Sequence, residues 1–106
     1  MDLSEATYII ARSLPPYETY GLAQQLRRSA VSVASNIAEG HGRIHRGDYI
    51  HHLSVSRGSL AELQTQLHLA HRLHGIRVDP AQSLADEVGR MLSKLIERLR
   101  ALPPQH

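Results

Sequence analysis

Hydrophobic positions recur at helical spacing along nearly the whole chain, and strand signals are weak throughout. Leu3, Thr7, Ile10 and Leu14 step by four, three and four, which predicts a first helix over residues 2–13, closed by Pro15-Pro16. The stretch "PPYETYG" follows as a stiff connector. Leu22, Leu26, Ser29, Ala30, Val33 and Ile37 share an arc of about 100° and predict a second helix over 22–39. The third, 46–74, has the most regular pattern. Tyr49, Leu53, Ser56, Leu60, Leu63, Leu67 and Ala70 alternate steps of four and three, a heptad seam suited to aligned helix packing. Gly75 stops it. Asp79 as N-cap and Pro80 at the first helical position then open a fourth helix over 80–101. Leu84, Val88, Met91, Leu92, Leu95, Leu99 and Leu102 read as its inner stripe, and Pro103-Pro104 ends it. Four amphipathic helices with short connections predict one all-α domain over residues 1–106, an antiparallel up-down four-helix bundle.

Two helices carry more apolar surface than one intramolecular core requires. Val31, Ala34 and Ala38 lie roughly opposite the main stripe of the second helix, and Val55, Leu69 and Leu73 lie on the reverse of the third. These six residues predict close approach by a helix of another subunit.

Composition narrows the possible chemistry. There is no apolar run of membrane length and no basic-then-apolar leader, so the expectation is a cytoplasmic protein with no membrane partner. The absence of cysteine removes disulfides, thiolate nucleophiles and thiolate metal sites. A formal net charge of +2 conceals a local bias: Gly21 to Arg77 holds seven Arg against Glu39, Asp48 and Glu62, and this excess permits a phosphate-bearing partner. Arg27, Arg28, Arg43 and Arg46 in that segment, with the ridge Arg90, Lys94 and Arg98 on the fourth helix, are the candidate contacts to nucleic acid. The alternative is a solvated Arg-rich surface, with Glu87 and Glu97 partly answering the ridge.

The stretch "SNIAEGHGR", residues 35–43, invites a phosphate-loop reading. A phosphate-binding glycine loop precedes a helix, whose N-terminus supplies free N–H groups, whereas Gly40 follows one. Gly40 is therefore expected to cap the second helix in the left-handed conformation. Glu39 is disfavoured by the helix dipole there and calls for a cation, with Arg43 four residues on and Arg28 near the same face. Asn36, Glu39, Gly40 and Arg43 are read as a polar clamp on the turn between helices two and three. Removing Glu39 from such a mostly buried network is expected to cost about 1–3 kcal/mol.

His68, His71 and His74 repeat every three residues, a spacing that metal ligands on helices use. No acid accompanies them and no HExxH is present, so exposed or interfacial histidines are the preferred reading, with no metal and no cofactor. Serines are plentiful, yet no Gly-x-Ser-x-Gly elbow exists. Ser56, Gly58 and Ser59 are read instead as small residues at a tight helix contact. Nothing in the sequence points to an enzyme.

"YGLAQQLRRSAVSVASNIAEGHGR" (residues 20–43), "DYIHHLSVSRGSLAELQTQLHLA" (48–70) and "EVGRMLSKLIERL" (87–99) together resemble the four-helix-bundle proteins encoded in intervening sequences of bacterial 23S rRNA genes. The resemblance rests on Glu18, Gly21-Leu22, Gln25, Arg27-Arg28, Ser32, Asn36-Ile37-Ala38-Glu39-Gly40, Arg43, Arg57-Gly58-Ser59 and Glu62-Leu63. It departs at the front, where the usual Trp of the first helix and Phe of the connector are missing. It implies a left-handed up-down bundle that assembles as a homopentamer. A related class, the accessory protein of diversity-generating retroelements, is a basic pentameric bundle that binds a reverse transcriptase and nucleic acid. Two functions follow as expectations: a non-enzymatic homo-oligomer that binds RNA or DNA backbone through Arg, or a protein-binding scaffold, for instance for a reverse transcriptase, without direct nucleic-acid contact.

Overall fold

A computed structural model describes residues 2–104. Among them are four α-helices, α1 (Asp2–Ser13), α2 (Leu22–His41), α3 (Arg46–His74) and α4 (Asp79–Ala101), with a 3-10 turn at Pro16–Glu18 and no strand. Each helix packs on its neighbour in chain order and α1 closes on α4, which makes α1 and α3, like α2 and α4, the diagonal pairs. The result is elongated, 53 × 22 × 18 Å. Among the described residues no helix is long and apolar enough to cross a membrane.

The core is aliphatic. Leu26 and Val33 of α2, Leu53, Leu60, Leu63 and Leu67 of α3, and Leu92 and Ile96 of α4 are essentially inaccessible to water. The missing Trp does not unseat α1, which buries Leu3, Ile10, Ala11 and, in the connector, Leu14. Thr7 joins that face because its hydroxyl donates to the Leu3 carbonyl at 2.8 Å, leaving no unsatisfied polar group.

The helix ends follow local chemistry, with two departures from the sequence expectation. Gly75 does close α3 in the left-handed conformation, at φ 66°, and its N–H reaches the His71 carbonyl at 2.9 Å. Gly40 is not such a cap. It lies within α2, which runs on to His41, and Gly75 has the only positive φ among the described residues. A Cβ at Gly40 would lie 2.9 Å from the His52 Cβ and 3.0 Å from Tyr49 Cδ1, so glycine is needed there to let α2 and α3 close together. Asp79 makes no side-chain cap; it is the first residue of α4, after Val78. The inner stripe of α4 is also rotated. Ala81, Ala85, Leu92 and Ile96 are buried, Leu84, Val88, Leu95 and Leu99 flank them, and Met91 and Leu102 are exposed. Small residues let α4 sit close, with a Cβ at Gly89 falling 3.4 Å from Leu60 Cδ2. Gly58, by contrast, faces open space and marks no tight contact.

Candidate nucleic-acid interface

The α2–α3 seam is polar along one edge, and it fixes how these helices register. Gly40 lies against Tyr49 and His52. One turn back, His52 Nδ1 is 3.1 Å from Asn36 Oδ1, and Asn36 Nδ2 donates to the Ser32 carbonyl and hydroxyl at 2.9 and 3.2 Å. Because the amide oxygen accepts, Nδ1 of His52 carries the proton. Ser56 donates to the Val33 carbonyl at 2.8 Å, and the Ser32 and Ser59 hydroxyls meet at 2.6 Å. Beyond them opens a groove of about 520 Å³ whose walls include Arg28 on α2 and Glu62 and Gln66 on α3. The Gln66 Oε1 atom is buried there without a hydrogen-bond partner among the described residues.

The predicted clamp divides in two. Asn36 belongs to the seam with Ser32 and His52, whereas Glu39 pairs with Arg43 at 2.6 Å in solvent, both side chains roughly half exposed. Arg28 does not reach Glu39 but lines the groove. The expected cost of losing Glu39 therefore falls to that of an exposed i,i+4 pair, about 0.3–0.5 kcal/mol.

The predicted cations fall on different sides of the molecule. Arg90, Lys94 and Arg98 are exposed along α4, and no ion pair among the described residues engages them. Arg27 and Arg28 lie on α2, diagonal to α4 in the bundle. Arg27 is half-buried, its Nη2 donating to the Thr19 carbonyl at 3.2 Å. Arg46 is half-buried at the start of α3. The Arg27–Arg28 pair and the α4 ridge thus sit on separate helices.

The family model of the 23S rRNA-intervening sequence protein matches residues 1–97, from before α1 into the last turns of α4. The chain belongs to this family. Comparison with curated proteins gives no match. The matched span contains the whole polar seam and both residues of the Glu39–Arg43 pair, while Arg98 lies one residue beyond it.

The sequence pattern gave no warning of a third cluster. Glu18, in the 3-10 turn, accepts the Leu22 N–H at 3.3 Å and meets His74 Nε2 at 2.8 Å. It supplies the cap that Gly21 has no side chain to make, and a Cβ at Gly21 would fall 2.7 Å from its Oε1. The His74 hydrogen bond first, and the Leu22 N–H second, hold the Glu18 carboxyl below its usual range, against a smaller opposing effect of desolvation. His74 is thus drawn to the connector, while His71 turns to the Ile76 carbonyl at 3.1 Å and His68 is exposed. Among the described residues no group of three or more His, Asp or Glu is arranged to hold a metal.

Proposed function

We propose that this protein works without catalysis, as a homo-oligomeric antiparallel up-down bundle that holds nucleic-acid backbone on basic surfaces repeated around a ring of copies. The observation that carries the reading is the α4 ridge, where Arg90, Lys94 and Arg98 stand exposed without ion-pair partners among the described residues. Each phosphate neutralised releases counterions, and several identical copies turn a weak contact into useful avidity. The antiparallel arrangement is supported by register: Gly40, Asn36, Ser32 and Glu18, in descending order, meet Tyr49, His52, Ser59 and His74 in ascending order. Gln64 with Asp86 and Leu60 with Gly89 give the same sense between α3 and α4.

Assembly is supported by the surfaces left open. Val31, Val55, Leu69 and Leu73 are exposed, Leu73 at 65%, and Ala38 is exposed beside half-buried Ala34. Within one chain Arg28 and Glu62 line the same groove without pairing. In a head-to-tail ring these unlike charges would meet across copies. A homopentamer is the ring we favour.

Electrophoretic shifts with unrelated RNA and DNA duplexes test the function. The account expects a shift at low salt that is independent of sequence and weakened in Arg90→Gln/Lys94→Gln. An intact oligomer that shifts neither duplex at low salt overturns it and leaves a protein-binding scaffold, such as a reverse transcriptase accessory subunit, as the reading.

A further inference from the structure

Two of the four tyrosines are largely exposed. Tyr17 in the 3-10 turn and Tyr20 just after it lie at the end of the bundle where α2 begins and α3 finishes, and they are 77% and 88% exposed. Full exposure of two aromatic rings a few residues apart is informative, because a folding role would bury them. The segment that presents them is held firmly: Glu18 is tied to His74 and to the Leu22 N–H, and the Tyr17 ring lies 5.9 Å from the His74 ring, tilted by 57°.

Two arginines belong to the same end of the bundle. The Arg27 guanidinium is anchored on the carbonyl of Thr19, the residue before Tyr20. Arg77 follows closely after His74 and is 89% exposed. The acids at this end are both engaged, Glu18 by His74 and Asp79 loosely by Arg77 at 4.0 Å. The opposite end is different in kind: Ile44 is its most exposed apolar side chain, and Arg43 there is paired with Glu39.

The geometry points to this end as a docking surface for single-stranded nucleic acid, with unpaired bases stacking on Tyr17 and Tyr20 while Arg27 and Arg77 meet the adjoining phosphates. The inference rests on the backbone-binding function proposed above and adds to it a preference for unpaired strand. Exposed rings accept any base face but cannot reach bases stacked inside a duplex, so the preference is for strandedness and not for sequence.

Fluorescence anisotropy of labelled oligouridine, oligothymidine and a mixed-sequence duplex tests it at one low salt concentration. Tyr17→Ala/Tyr20→Ala should weaken binding of both single strands by at least about 5-fold for each ring lost, and leave duplex affinity unchanged. Tyr17→Phe/Tyr20→Phe should bind the single strands as the parent does. Unchanged melting of both variants excludes a folding defect, as the exposure of the rings predicts. Single-strand affinity indifferent to the alanines, with salt-sensitive duplex binding intact, overturns this inference alone. Parent protein that binds none of the three probes overturns it together with the function it rests on.

Discussion

Placing Gly40 inside α2 makes a sharp prediction about stability. In a solvated helix interior, Gly→Ala gains up to about 1 kcal/mol, because alanine loses less backbone entropy. At Gly40 the new Cβ would fall 2.9 Å from the His52 Cβ, 3.0 Å from Tyr49 Cδ1 and 3.3 Å from the Tyr49 carbonyl oxygen. Two of those atoms are a Cβ and a backbone oxygen, which no rotamer change can move, so α2 and α3 must separate. Overpacking of that kind costs about 1–3 kcal/mol, and Gly40 lies in the last turn of α2, where the propensity gain is smallest. Gly40→Ala should therefore be destabilised by about 1–2 kcal/mol, a fall in melting temperature of roughly 4–8 °C for each kcal/mol. Gly58→Ala is the internal control: nothing lies within 4 Å of its Cβ, so it should melt at or above the parent temperature. Gly40→Asn separates close packing from capping, since a left-handed cap tolerates asparagine best, while a tight crossing rejects it more than alanine. Thermal unfolding followed by circular dichroism, at one fixed protein concentration because self-association shifts the midpoint, reads all three. Gly40→Ala as stable as the parent, or Gly40→Asn more stable than Gly40→Ala, refutes the packing argument.

Three further outcomes follow from the same structure. Glu39→Ala should cost no more than about 0.5 kcal/mol in the same melt, because its pair with Arg43 is solvated, and a larger loss would restore the clamp. Glu18, its carboxyl held below the usual 4.5 by His74 and Leu22, contributes stability that is fully present above that value and is lost as pH falls through its lowered folded-state pKa. Urea midpoints of the parent should exceed those of Glu18→Gln at neutral pH and converge on them in acid, and parallel curves at every pH would contradict this. Light scattering should give a solution mass near about five chains, and Leu73→Lys should lower it, because that exposed side chain belongs to the face assigned to the neighbouring copy. A parent monomer at micromolar concentration would remove the ring.

Much of this architecture was legible because the apolar steps of three and four on α3 are both local and physical. Leu53, Leu60, Leu63 and Leu67 read as core and are core. What escaped the sequence depends on contacts that no apolar pattern encodes. Gly40 looks like a stop signal because it follows an apolar stripe, and only the crossing with Tyr49 and His52 shows why it has no side chain. On α4, counting large side chains pointed the helix about its Leu residues. The closest approach instead selects Ala81, Ala85 and Gly89, which carry little hydrophobic weight in any pattern. The Asn36–His52 bond and the capping of α2 by Glu18 join residues 16 and four positions apart, and neither matches a local motif. The basic residues were legible as charges, but that the Arg27–Arg28 pair and the α4 ridge sit on diagonal helices follows from the packing order.

The central claim is that nucleic acid is held through phosphate by cations left unpaired on the bundle surface. The direct measurement is the salt dependence of duplex affinity for the assembled parent and for Arg90→Gln/Lys94→Gln. The account predicts a steep linear fall of log K with log salt for the parent, at similar affinity for unrelated sequences. For the variant it predicts a slope shallower by about 1 for each phosphate contact removed per bound copy. Affinity indifferent to salt, or a variant with the parent's slope, would contradict it.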